Sequence, residues 1–179
     1  MILFIYRILI NFVLIFSPFI ILIRILKKKE DTKRFKEKLC FFSKRKIKKK
    51  LIWFHGASVG EISSIVPLVL RLEKNNKIDQ ILITSSTLSS SKILNQFKFK
   101  KTIHQFFPID TNHMSKRFLD YWKPSLAIFI DSEIWPNMIL NLKTQKIPII
   151  LLNARITQKS FYRWKTLGKF SKKIFQCIN

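Results

Sequence analysis

The sequence predicts an α/β fold: a Rossmann-like parallel sheet with helices on both faces, preceded by an apolar amino-terminal membrane-anchor helix. Three observations carry that expectation. Five short apolar runs, Leu51–Phe54, Gln80–Ile83, Ile103–Phe107, Leu126–Ile130 and Ile147–Leu152, have the length and β-branched content of buried strands. The stretches between them carry apolar residues at helical spacing, and strands that alternate with helices build a parallel sheet covered on both faces. Met1 to Leu26 is apolar except for Arg7, Asn11, Ser17, Pro18 and Arg24, with an uncharged core from Ile8 to Ile23.

Taken in order, residues 1–26 read as a membrane anchor crossing once. The uncharged core is short of the roughly 20 residues a span needs, but Arg7 and Arg24 extend it if their side chains snorkel. A cleaved signal peptide would need a small-residue cleavage site where Arg24 and a lysine run stand instead. Pro18 kinks such a helix, which leaves a tilted or interfacial arrangement open. Residues 27–50 form a basic juxtamembrane segment, thirteen Lys or Arg against Glu30, Asp31 and Glu37, a net of +10. The positive-inside rule places that cluster in the cytoplasm, where it meets anionic lipid.

After the first strand, Ile62–Glu73 is helical by the spacing of Ile65, Leu68, Val69 and Leu72, with Pro67 as a local irregularity. Thr87–Phe97 starts on a Ser/Thr cluster suited to capping, and Thr111–Trp122 starts on Thr-Asn and stops just before Pro124. A further helix is expected from Trp135 to Lys143, and a basic amphipathic one over Thr157–Cys177.

Composition bounds the function. The chain has 179 residues, enough for one ordinary domain plus the anchor, and a formal net charge of +24. That charge favours anionic partners, and the adjoining apolar segment makes lipid a better account of it than nucleic acid. Cys40 and Cys177 belong to no metal or redox pattern, and His55, His104 and His113 lack the spacing of a zinc site. With three glycines and neither GxGxxG nor GxxxxGK[ST], a glycine-rich phosphate cradle is excluded. Ser58 lies in no GxSxG elbow, which argues against a hydrolase triad.

In an open α/β sheet, ligands bind at the carboxyl ends of the strands. Those ends supply His55, Ser58 and Glu61 after the first strand, then Thr84, Ser85, Ser86 and Thr87. Asp131, Ser132 and Glu133 follow the fourth, and Asn153 and Arg155 the fifth. Glu61, in the stretch Leu51–Glu61, has two readings. It is either a general base at a strand end, or a first-turn residue that caps the next helix together with Ser58.

Three motifs carry a resemblance: His55-Gly56-Ala57-Ser58-Val59-Gly60-Glu61, then Asp131-Ser132-Glu133-Ile134-Trp135-Pro136-Asn137, then Asn153-Ala154-Arg155. In order and spacing, from Leu51 to Lys169, they resemble the amino-terminal domain of the 3-deoxy-D-manno-octulosonic acid (Kdo) transferases of lipopolysaccharide synthesis. The SEIWPN segment is the most distinctive. The resemblance implies a two-domain, inverting GT-B glycosyltransferase of the inner membrane that moves Kdo from CMP-Kdo to a lipid A precursor without a metal or other cofactor. It makes Glu61 the general base and Asp131 and Glu133 a supporting acidic motif, with Asp131 standing where the family usually has Glu. Ser58, Gly60 and Arg155 become acceptor-binding residues, Arg155 suited to the acceptor's phosphates. Trp135 and Pro136 are expected to pack at a helix start rather than touch substrate.

The resemblance also implies that residues 51–179 are the acceptor half, and that a carboxyl-terminal donor domain has no counterpart after Asn179. A separate polypeptide supplying that half is then an expected partner, and the chain alone is expected to be inactive. The rival expectation is a non-catalytic membrane-bound module, or a truncated remnant, that binds anionic glycolipid through its lysines.

Overall fold

The structure, a computed structural model, describes residues 1–47, 50–131 and 133–178. Five parallel strands form one sheet in the order β3-β2-β1-β4-β5. They are β1 (Leu51–His55), β2 (Gln80–Ser85), β3 (Thr102–Phe106), β4 (Leu126–Ile130) and β5 (Ile149–Leu152). β1 is central, with Leu51 opposite Gln80 on one side and Ile52 opposite Leu126 on the other. All five of its residues are buried, as a strand covered on both faces requires.

The pleat divides β1 between two cores. Leu51 and Trp53 point to the face covered by α4 (Asn112–Trp122), α5 (Pro136–Thr144) and α7 (Lys169–Phe175), where they pack with Phe118, Trp122, Phe129 and Ile139. Ile52 and Phe54 point to the opposite face, under α2 (Val59–Glu73) and α3 (Leu88–Leu94), beside Ile62, Ile65, Ile83 and Leu94. Truncating Trp53 or Phe54 to Ala would cost about 3–5 kcal/mol in lost contacts and cavity.

Hydroxyl caps start four helices. Ser58, Thr87, Thr111 and Thr157 each accept from the backbone N–H three residues on, at the heads of α2, α3, α4 and α6 (Gln158–Thr166). The single helix expected over 157–177 is two, α6 and α7. Gly168, at φ 51°, takes a left-handed conformation between them that side-chain-bearing residues adopt only at a cost.

The amino-terminal helix, α1, runs over Ile2–Leu26 and passes through Pro18. Proline leaves the carbonyl four residues earlier without its helical donor, and the Ser17 hydroxyl donates to that carbonyl, Leu14 O, at 2.7 Å. Part of the basic segment packs on the domain. Within a short 3-10 turn, Phe35–Leu39, Glu37 is buried and accepts the Phe106 backbone N–H at 2.8 Å, while the Arg34 guanidinium donates to the His104 carbonyl at 2.8 Å. Cys40 is fully buried in the core.

Candidate functional site

The carboxyl end of β1 is where the chain turns sharply. Gly56 closes onto the sheet by donating to Thr84 O at 3.1 Å, and a Cβ there would come within 3.1 Å of both Glu61 Cβ and Ile130 Cδ1. An added methyl would force the Glu61 and Ile130 side chains to shift by a few tenths of an ångström. Ser58 then caps α2, and Glu61 reaches back: Oε2 accepts the Ala57 N–H at 2.8 Å and Oε1 accepts the Ser58 hydroxyl at 2.6 Å. This is a capping box displaced by one residue. Both carboxylate oxygens are held, yet an ionised carboxylate has about four lone-pair positions, so half remain to accept a substrate proton. The cap and the base are therefore compatible descriptions of one residue. Gly60 is exposed in the first turn of α2 with nothing within 4 Å of a hypothetical Cβ, so its surface is open to a ligand.

Beside this turn lies a second cluster. His55 is completely buried, its ring stacked on Phe107 with centroids 3.9 Å apart. Nδ1 faces Thr84, 2.9 Å from Oγ1 and 3.2 Å from the carbonyl, so Nδ1 donates to that oxygen. Nε2 faces Glu133 Oε2 at 3.5 Å and the Trp135 indole nitrogen at 3.1 Å. The indole N–H also donates to Glu133 Oε2 at 2.8 Å. Burial raises the Glu133 pKa, but the neighbouring His55 ring and the Trp135 indole N–H outweigh it and hold the carboxyl below its ordinary range. The acidic motif is thus tied to the β1 motif through a histidine that the motif spacing only suggested. Trp135 does more than pack, since its indole N–H holds both partners.

Asp131 takes a left-handed conformation, φ 55°, which the short polar side chain tolerates, and accepts Asn153 Nδ2 at 2.7 Å. This joins the ends of β4 and β5. A groove of ≈ 340 Å³ opens beside it, lined by Asp131, Leu151, Ala154, Arg155, Trp164 and Phe175. Ser132 lies outside the described residues. Of the Ser/Thr stretch, Thr84 serves His55 and the Trp53 indole (2.8 Å), while Thr87 caps α3. The candidate residues thus form three neighbouring groups: Ser58–Gly60–Glu61, His55–Glu133–Trp135, and Asp131–Asn153 with Arg155. Among the described residues, no three of His, Cys, Asp and Glu gather closely enough to hold a metal ion.

Asp110 went unread in the sequence although it occupies the same strand-end position after β3. It accepts the backbone N–H groups of Asn137 (2.9 Å) and Met138 (2.8 Å) at the head of α5, together with the Ser115 and Tyr6 hydroxyls. Burial pushes its pKa up to about 6 against those four donors. The signal for it was an Asp-Thr-Asn run directly after an apolar run.

An open parallel sheet whose strand ends gather carboxylates in this way has the form of the α/β domains that bind ligands at that edge. The chain belongs to the 3-deoxy-D-manno-octulosonic-acid transferase (kdotransferase) family, whose sequence model matches residues 33–179. Among curated proteins, the 3-deoxy-D-manno-octulosonic acid transferase of Rickettsia bellii is 44% identical over 146 residues, 82% of this chain and 35% of that protein. The Haemophilus influenzae transferase is 32% identical over 113 residues, 63% of this chain and 26% of that protein. A probable mitochondrial counterpart in Arabidopsis thaliana is 38% identical over 65% of this chain and 26% of its own length. The chain thus spans about a third or less of the relatives it matches. A crystal structure of UDP-N-acetylglucosamine 2-epimerase shares the fold at TM-score 0.50 and 16% identity, over 75% of this chain and 38% of that one.

Proposed function

We propose that this chain is the acceptor-binding half of an inverting Kdo transferase, with Glu61 as its general base. Residues 51–179 form the acceptor domain, residues 1–26 attach it to the inner membrane, and the basic 27–50 segment keeps it on the cytoplasmic side. The acceptor is a lipid A precursor such as lipid IVA, and the donor is CMP-Kdo. Glu61 takes the proton of the acceptor sugar hydroxyl as its oxygen attacks the anomeric carbon of Kdo. The new C–O bond forms as the bond from that carbon to the CMP phosphate oxygen breaks, which inverts the configuration and releases CMP. A neutral hydroxyl is a poor nucleophile, and a base is worth about 10²–10⁴ in rate. Ser58 and Gly60 line the acceptor approach, Arg155 takes an acceptor phosphate, and Asp131 and Glu133 brace the site. No cofactor or metal enters the scheme.

The observation that carries this reading is the Glu61 carboxylate, pinned by Ser58 and Ala57 at the carboxyl end of the central strand in a chain of this family. A GT-B enzyme reacts in the cleft between two domains, so residues 1–179 are tested together with a donor-binding half. The test mixes the purified chain with the carboxyl-terminal half of the Rickettsia bellii relative, CMP-Kdo and lipid IVA. Transfer is expected only when both halves are present, and Glu61→Ala should abolish it. Turnover by the chain alone, or full activity of Glu61→Ala, overturns the reading. An acceptor-binding module without catalysis would bind lipid IVA equally with and without Glu61 and never support transfer.

A further inference from the structure

Helix α1 is tied to the domain at both ends, directly at its start and through the 27–50 segment at its end. Near its start, the Tyr6 hydroxyl donates to Asp110 Oδ2 at 2.7 Å, and Arg7 donates to Asn137 Oδ1 (2.9 Å) and Asn112 Oδ1 (3.1 Å) at the heads of α5 and α4. Met1, Ile2 and Leu3 share a groove with Leu167, Phe170 and Lys173 of the carboxyl-terminal segment. Near its end, Arg24 donates to Glu30 at 2.9 Å, and Glu30, whose side chain is fully buried, also receives the Lys38 ammonium at 2.6 Å. That ammonium lies 5.4 Å from the ring centre of Phe106, the last residue of β3. In between, Ser17 and Ile21 are buried.

A helix of 25 residues is about 37 Å long at 1.5 Å per residue, so contacts at both ends lay it along the carboxyl edge of the sheet, from β3 to α7. A helix crossing roughly 30 Å of hydrocarbon cannot keep both ends on one water-exposed domain. The outward side of α1 is nevertheless strongly apolar, with Phe4, Leu9, Phe12, Phe16 and Phe19 all more than half exposed. Cations flank it at each end, Lys27, Lys28 and Lys29 at one and Lys169 and Lys173 at the other. For a spanning helix those two clusters would need to lie on opposite sides of the bilayer; for a helix lying flat, both meet the head groups of one leaflet.

We propose that α1 lies in the plane of an anionic bilayer surface, clamped to the domain by Tyr6 and Arg7, and does not cross the membrane. Its apolar side sinks into the boundary between head groups and acyl chains, and the strand-end residues face the same leaflet. Asp110 and Asn137, which hold Tyr6 and Arg7, cap and open α5 directly after Glu133 and Trp135, so the clamp sets the height of the candidate site above the lipid. A lipid-anchored acceptor would then reach Glu61 without leaving its leaflet.

The inference rests on α1 being the membrane-attached element of the proposed transferase half. It is tested by labelling single cysteines, Ile2→Cys and Lys27→Cys, in the full chain with a membrane-impermeant maleimide. Intact bacterial spheroplasts are compared with inverted vesicles, and the unsubstituted chain, whose Cys40 and Cys177 are buried, gives the background. Both cysteines are expected to react in inverted vesicles and neither in spheroplasts. Reaction of Ile2→Cys from outside while Lys27→Cys reacts from inside overturns the in-plane helix and leaves membrane attachment standing. Recovery of the chain in the soluble fraction overturns both.

Discussion

His55 and Glu133 meet 3.5 Å apart, Nε2 to Oε2, and the Trp135 indole N–H reaches both. A neutral His55 accepts that N–H; a protonated ring donates to the carboxylate instead. Either way the end of β1 and the loop after β4 become one unit. Trp135→Phe keeps the aromatic packing against Phe107 but deletes the shared donor. The expected loss is about 1 kcal/mol of stability. Because the loop beside the site is freed, transfer by the reassembled enzyme should drop about tenfold. Thermal unfolding and initial rates on the same preparations check both.

The same carboxylate sets a pH dependence. The folded pKa of Glu133 lies below its ordinary 4.5, so its contribution is present above that value and is lost as pH falls through the folded pKa. Glu133→Gln has no such proton to gain. The melting-temperature gap between wild type and Glu133→Gln should therefore be widest above pH 4.5 and close as the solution is acidified. A gap that stays constant down to pH 3 would show that the carboxylate's charge plays no part.

Asp110 must slope the other way. Its pKa rises from 3.8 unfolded to about 6 folded, so between those values the folded state holds the proton more tightly and stability falls as pH increases. Asp110→Asn removes the titration, so the wild-type advantage over it should shrink from pH 4 to pH 6 and be flat above. Denaturation in detergent at a series of pH values reads the slope directly. A slope of the opposite sign would mean that the four hydrogen bonds outweigh burial.

The parallel sheet was legible because every residue of β1 is apolar or aromatic up to His55, and a run with no polar alternation belongs in a doubly covered strand. The caps at Thr87 and Thr111 were legible for the same local reason, as a hydroxyl placed before each helical run, whereas the Thr157 cap emerged only from the structure. The long-range pairings were not. Asp110 and Asn137 are 27 residues apart, and Tyr6 reaches Asp110 across 104, so no spacing rule links them. Arg7 looked like a residue snorkelling from a spanning helix, because periodicity within an apolar helix does not reveal a partner supplied by α4 and α5. Gly168 was passed over inside an amphipathic pattern whose period continues on both sides of it.

The two roles of Glu61 are separable by substitution. Glu61→Gln keeps an oxygen for the Ala57 N–H but cannot take a proton, so stability should change by less than about 0.5 kcal/mol. Transfer should fall about 10²–10⁴-fold. Ser58→Ala removes the cap of α2 and one of the donors that hold the carboxylate, and should cost about 1 kcal/mol of stability. The base itself survives in that variant, so its loss of rate should be far smaller. Gly60→Ala completes the set, because nothing lies within 4 Å of the added methyl. Alanine in that helical turn should stabilise by about 0.5 kcal/mol. If Gly60 faces the acceptor, the Michaelis constant for lipid IVA should rise while the melting temperature also rises. A simple structural role for the turn predicts the reverse pairing: rate would track stability across all three variants, and the assignment of Glu61 as base would be lost.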